Sequence, residues 1–198
     1  MLKDTEKDII KNILLNDGII AFVTDTVWGI GCLPTSKKAV QRIYEIKHRD
    51  EKKPLILMSN DIYPLLKYVK EIPKFGHILI KKHFPGALTI VLEKSDNTPD
   101  YITSGMATVG IRVPNNDVFK DICKSIPDNV LATTSANLSS LPPALTYKEA
   151  VEYIGKDVDY VVKDYGQTSK GTASTVVGIF DETLKIFRQG DIIINETL

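Results

Sequence analysis

Apolar residues along the chain switch between helical and extended spacing. Ile9, Ile10, Ile13 and Leu14 form one helical stripe, closed by Asn16, Asp17 and Gly18, residues that readily stop a helix. A β-rich run at 19–23 follows and ends in the polar cluster Thr24, Asp25 and Thr26. Ser36 is placed to cap a second helix, whose stripe reads Ala39, Val40, Ile43, Tyr44 and then Lys47. Residues 54–58 predict a strand, and helical segments are expected near 60–70 and 74–84. Residues 88–92 and 108–113 read as strands behind Gly or Pro punctuation. A helix near 117–125 leads into a strand over 130–133. Thr146 and Glu149 have the spacing of a capping box for a helix ending at Gly155. Strands at 160–163 and 174–180 bracket a loop with Gly166 and Gly171, and 181–183 turns the chain into a strand over 184–188. Interspersed helices and strands with this terminal hairpin predict a large mixed sheet in an α/β fold.

Composition narrows the classes. The 198 residues are 43% hydrophobic, enough for a packed core, and the length predicts one domain over 1–198 with its core at about 5–190. The longest apolar stretch, 19–23, is far below the ~20 residues that cross a bilayer. The opening residues are too charged for a signal peptide, so a cytoplasmic protein without a membrane span is expected. Cys32 and Cys123 are the only cysteines, which leaves neither a disulfide framework nor a cysteine zinc site. The 25 basic and 25 acidic side chains cancel, which argues against coating nucleic acid by bulk attraction while leaving a local basic patch open.

Three clusters carry candidate chemistry. Lys47 falls on the apolar stripe of its helix, where another buried residue is expected. A lysine snorkelling at a helix C-terminus is the plain alternative. Lys47, His48, Arg49, Lys52 and Lys53 crowd into seven residues before Pro54, a cationic loop suited to phosphates or carboxylates. Arg112 interrupts an apolar strand, and Arg188 stands at a strand end before Gln189 and Gly190; each either covers an edge or faces a cavity with its planar fork. Thr133, Thr134, Ser135, Ala136 and Asn137 follow an apolar strand, where small hydroxyl and amide groups either bind an anion or simply form a turn. Gly29 and Gly31 imitate a dinucleotide fingerprint, but Pro34 takes the place of the third glycine. Gly166 and Gly171 lack the Lys-Ser/Thr pair of a phosphate loop. His48, His77 and His83 have no partners at metal-ligand spacing, and no serine–histidine–acid triad stands out.

Seven segments occur in one order: TDTVWGIG at 24–31, KHR at 47–49 with KPL at 53–55, FPGALTI at 84–90, TVGIR at 108–112, TSANLSSLPP at 134–143, STVV at 174–177 and FRQG at 187–190. Together they resemble the YrdC/Sua5 family of threonylcarbamoyl-AMP synthases, in the short form without an extra C-terminal domain. The resemblance implies a single α/β domain whose large twisted mixed sheet, flanked by helices, curves around a positively charged concave cavity. It implies condensation of L-threonine, bicarbonate and ATP, with Mg²⁺, to threonylcarbamoyl-adenylate and pyrophosphate. That product serves threonylcarbamoyl modification of tRNA, with the downstream tRNA threonylcarbamoyl-transferase complex as a partner.

Carried over residue by residue, the resemblance places Lys47, Arg49, Lys53, Thr108, Ser135, Asn137 and Arg188 at ATP, with Lys47 and Arg49 catalytic. Thr26, Arg112, Thr133 and Ser174 line the threonine site, and no protein-held metal is implied. The chain departs from many relatives at Val23, where they have proline, and at Trp28, where they have tyrosine or phenylalanine. Met58 stands where some place histidine, and Pro143 where longer forms have serine. Two rival readings share the features: an RNA-binding module using the same basic concavity, and a carbamoyl-transfer domain like that of hydrogenase-maturation proteins.

Overall fold

The structure is a computed structural model and describes residues 1–48, 53–138, 141–180 and 183–194. Helix α1 (Asp4–Leu15) is followed by strands β1 (Ile20–Phe22) and β2 (Gly29–Cys32), helix α2 (Lys37–Lys47) and strand β3 (Ile56–Ser59). After a 3₁₀ turn at Tyr63–Tyr68 come α3 (Lys74–His83), β4 (Leu88–Glu93), the one-turn α4 (Asp100–Thr103) and β5 (Thr108–Arg112). The chain continues through α5 (Asp117–Ser125), β6 (Val130–Ser135), α6 (Tyr147–Ile154), β7 (Tyr160–Val161), β8 (Thr175–Phe180) and β9 (Thr183–Arg188).

The capping expectations hold. The Ser36 hydroxyl accepts from the Ala39 N–H at the start of α2, and Thr146 and Glu149 complete a reciprocal capping box on α6, each such cap being worth about 1 kcal/mol. Three expectations are corrected. Ile9 is 47% exposed, and Glu6 rather than Ile9 joins Ile10 and Leu14 on the buried face of α1. The 60–70 segment tightens into a 3₁₀ turn. Residues 29–32, where no strand is expected, form β2. The turn at 181–182 lies outside the described residues.

The nine strands of the described residues join one mixed sheet, in the order β7-β1-β2-β6-β3-β5-β4-β8-β9. The pairs β1/β7, β3/β5 and β4/β8 are parallel and the others antiparallel. Register aligns Ala132, Leu57, Ile111, Ile90 and Val177 in one row across five strands, and all five are fully buried. Because side chains alternate across a strand, their neighbours Ile56, Met58, Thr89, Arg112, Thr133 and Val176 turn to the opposite face. That face is the floor of a hollow. The core gathers the apolar faces of α1, α2 and α5, with Phe22 of β1 against Phe119 of α5 at 5.1 Å between ring centroids. Among the described residues no helix is long and apolar enough to cross a membrane.

Candidate active site

The hollow has a volume of about 330 Å³. Its floor comes from the sheet, and its walls come from the 24–29 turn, the end of β6 and the start of β8. Thr26, Arg112, Thr133, Ser135, Ser174 and Arg188 all line it, so six of the residues singled out in sequence converge although they lie up to 162 positions apart in the chain. Arg112 and Arg188 are the ionisable side chains among its lining residues.

Arg112 arrives because β5 pairs with β3, setting it opposite Met58 on the hollow's face. Its side chain is 3% exposed. Nε donates to the Gly86 carbonyl at 3.0 Å, Nη1 to the Thr26 hydroxyl at 2.9 Å, and Nη2 to the Asp25 carboxylate at 2.6 Å. Burial pushes the Arg112 guanidinium below its ordinary value, the Asp25 charge opposes that shift, and nearby Arg188 adds to it. A guanidinium still stays protonated, so the outcome is a fixed cation held from behind by a carboxylate.

Thr26 joins an ordered chain of hydroxyls. The Thr24 hydroxyl donates to the Val27 carbonyl at 2.6 Å and lies 3.0 Å from the Thr26 hydroxyl. Since Thr24 spends its proton on Val27, the Thr26 hydroxyl donates to Thr24 and presents its lone pairs to Arg112. On the opposite wall the Arg188 Nε donates to the Ser174 carbonyl at 3.0 Å and Nη2 to the Ser174 hydroxyl at 3.1 Å. That hydroxyl also meets Thr89 at 2.9 Å. Desolvation lowers the Arg188 guanidinium from its ordinary value. Fully buried Trp28 supplies an aromatic wall, backed by Tyr147 at 6.0 Å.

Lys47 occupies a different place. It is 1% exposed and sits beside the lining rather than in it. Its ammonium donates to the Ser135 and Asn137 carbonyls, both at 2.5 Å, and to the Asn137 Oδ1 at 2.9 Å. Asn137 Oδ1 also accepts from the Ser135 hydroxyl at 2.6 Å, and its amide donates to the Leu141 carbonyl at 2.6 Å. Lys47 and Asn137 thus shape the end of β6, where Ser135 sits, and the loop that follows it. Thr133 reaches the hollow while its hydroxyl donates to the Ile56 carbonyl at 3.1 Å.

Other sequence candidates are not brought to the lining. Lys53 is exposed, and its carbonyl accepts from the Tyr44 hydroxyl. Thr108 opens β5 opposite Glu93; it shares a sheet face with Arg112 but stands four residues away, about 13 Å at strand spacing. Arg49 lies outside the described residues. Sequence reading also left three contributors without a role: Asp25 as the partner of Arg112, Thr24 as the orienter of Thr26, and Thr89 beside Ser174. Thr24 and Asp25 are marked by the polar cluster closing β1 and by the segment at 24–31, and Thr89 by the segment at 84–90, but neither mark gives a role.

Two guanidinia and a set of hydroxyls around one hollow suit a small, highly anionic ligand set: planar forks for carboxylate or phosphate oxygens, hydroxyls for the remaining polar groups. The comparisons with known proteins agree in kind. A threonylcarbamoyl-AMP synthase of Pyrococcus abyssi is 34% identical over 179 residues, which cover 90% of this chain and 52% of that protein. A putative threonylcarbamoyl-AMP synthase of Methanocaldococcus jannaschii is 34% identical over 183 residues, 92% of this chain and 84% of that protein. The chain therefore spans about half the length of the first relative and most of the second. The crystal structure of P. abyssi Sua5 complexed with L-threonine superposes with a TM-score of 0.89 at 29% identity, covering 96% of this chain and 55% of that one. The family model Sua5_yciO_yrdC, described as "Telomere recombination", matches residues 12–190, and the chain belongs to this Sua5/YciO/YrdC family.

Proposed function

We propose that the protein is an L-threonylcarbamoyladenylate synthase. It joins L-threonine, bicarbonate and ATP into threonylcarbamoyl-AMP and pyrophosphate, for threonylcarbamoyl modification of tRNA in the cytoplasm. The observation that carries the reading is the convergence of Arg112, Thr26, Ser174 and Arg188 on one hollow, in a chain whose relatives bear that enzyme's name.

Threonine's amine bonds to the carbon of carbon dioxide and gives up a proton, or to that of bicarbonate with loss of water, to form a carbamate. A carbamate oxygen then bonds to the α-phosphorus of ATP, the bond from that phosphorus to the bridging oxygen breaks, and pyrophosphate leaves with its electron pair. Both partners are anionic, so mutual repulsion is a main barrier, and preorganised donors in a dry site are worth roughly 3 kcal/mol each. Of the five N–H groups of the Arg112 guanidinium, three go to Gly86, Thr26 and Asp25. The remaining two receive the threonine carboxylate, with Thr26, Thr133 and Ser174 around it. Arg188 and Ser135 hold the nucleotide, Lys47 and Asn137 set the end of β6 bearing Ser135, and Thr108, Lys53 and Arg49 extend the nucleotide side.

A carbamate oxygen is already deprotonated, so the adenylation step asks for charge neutralisation rather than a base. The lining residues are arginines, hydroxyls and apolar groups, which fits. Among the described residues no three acidic, histidine or cysteine side chains cluster as a metal cage. Mg²⁺ therefore fits as an ion carried on the triphosphate oxygens, where it neutralises phosphate charge. The alternative of an RNA-binding module gains no support from the relatives.

Pyrophosphate release from ATP and bicarbonate, with L-threonine supplied or withheld, tests the proposal. Release that depends on threonine is expected; release indifferent to threonine, or none, overturns it.

A further inference from the structure

Glu6 is a carboxylate buried on the apolar face of α1, 7% exposed. It precedes residue 12, where the family match begins. Its two oxygens accept from two phenols, the Tyr160 hydroxyl at 3.1 Å and the Tyr165 hydroxyl. Tyr165 has φ of 50° and Gly166 of 80°, so the chain turns sharply where Glu6 grips it, helped by the Asp164 carboxylate accepting from the Gly166 N–H at 3.1 Å.

The segment leaving this turn is a strap hydrogen-bonded along the backbone of the 24–26 turn. The Ser169 hydroxyl donates to the Thr24 carbonyl at 2.9 Å, the Lys170 N–H to the Asp25 carbonyl at 3.3 Å, and the Gly171 N–H to the Thr26 carbonyl at 2.9 Å. Those three carbonyls belong to the turn whose side chains hold Arg112. The strap then delivers Ala173 and Ser174 into the lining. No residue from 163 to 173 is buried, so hydrogen bonds rather than apolar packing fix its course, and segments held that way open easily. Its start is fixed by Glu6 and its end by the contact of Ser174 with Arg188.

We propose that Glu6 is a positioning residue: by holding Tyr165 it fixes the strap, and through the strap the 24–26 turn that orients Arg112 toward the amino-acid substrate. The inference rests on the reading of the hollow as a threonine and ATP site. It goes beyond that reading by giving α1 a part in affinity for the amino acid. The strap meets the nucleotide side through Ser174 and Arg188 at its far end, beyond the part that Glu6 holds, and the Lys47 and Asn137 contacts lie outside it, so affinity for ATP is expected to change less than affinity for threonine.

The test uses the full chain with Glu6→Gln, which keeps length but only one acceptor oxygen, and Tyr165→Phe, which removes one hydroxyl from a surface loop and leaves the core intact. Backbone hydrogen exchange at Lys170 and Gly171 is compared with that at Ile30 in β2, and KM is measured for threonine and ATP. Both variants are expected to speed exchange at Lys170 and Gly171 at least tenfold while Ile30 is unchanged. KM for threonine is expected to rise at least fivefold, with kcat and KM for ATP within twofold. Unchanged exchange at the two strap amides overturns the proposal, even where melting temperature falls. Faster exchange with an unaltered threonine KM overturns it as well. Failure of the wild-type protein to release pyrophosphate with threonine sinks the enzymatic reading instead, and the exchange measurement, which needs no substrate, separates the two.

Discussion

Arg112 is set before any ligand arrives, by the backbone carbonyl of Gly86 and by the Thr26 hydroxyl and Asp25 carboxylate of one turn. Removing it leaves Asp25, 13% exposed, as a carboxylate without its cation, and breaking a buried pair this way costs about 3–5 kcal/mol. Arg112→Lys is the sharper probe, because it keeps the charge and loses the planar fork. Threonine KM is expected to rise about tenfold, the equivalent of roughly 1.4 kcal/mol, with a smaller change for ATP; equal changes for both would contradict the assignment. Tyr165 gives a second prediction. Its bond to Glu6 pushes the phenol up to about 12 from an ordinary value near 10. The folded state then holds a proton that the unfolded chain releases, so this contribution to stability is complete below about pH 10 and fades as pH rises through about 12. Ultraviolet titration of phenolates should show a late component in the wild type, to which Tyr160, raised by burial and by the same carboxylate, also contributes, and that component should shrink in Glu6→Gln as Tyr165 returns toward the ordinary range.

At the scale of elements, α2 is the tether between core and site. Its apolar stripe anchors it, and its last residue carries the ammonium that fixes the loop after β6. Lys47→Met fills similar space but leaves the Ser135 and Asn137 carbonyls without that donor, at about 1–3 kcal/mol each for a buried polar group left unsatisfied. Chemical denaturation should show lower stability together with slowed pyrophosphate release; normal turnover at unchanged stability would contradict the tether. The stripe that placed Lys47 in a buried position is legible in sequence because period 3.6 is a local property, as are the caps at Ser36 and Thr146. Strand β2 is not legible. Gly29 and Gly31 depress strand propensity, yet they suit the packing, because a Cβ at either would crowd the Phe22 ring at 3.0 or 3.2 Å. That ring sits on a neighbouring strand, so the reason for the glycines is a packing fact that no local pattern carries. Likewise it is the resemblance, and not the crowded cationic neighbourhood alone, that places Lys47 at ATP. Its acceptors, 88 and 90 residues away, are set by tertiary structure.

For the whole molecule, the sheet order does what the linear chain cannot. Parallel pairing of β4 with β8 brings Thr89 opposite Val176 and next to Ser174. The antiparallel β8/β9 hairpin then folds Arg188 back onto the same wall. The two arginines share a hollow for that reason, and residue patterns alone leave each as an edge-covering side chain or a ligand fork. The ordered set of seven segments resolved that choice by resemblance, and it includes Asp25 in the segment at 24–31 without showing that Arg112 is its partner. The central claim is that this hollow unites the threonine amine, a one-carbon unit and the α-phosphorus of ATP in a single product. The most direct measurement supplies ¹³C-bicarbonate with L-threonine, ATP and Mg²⁺ and reads the product by mass. Threonylcarbamoyl-AMP heavier by the mass of the label is predicted; an adenylate without the label, or AMP formed with no threonine adduct, would contradict the account.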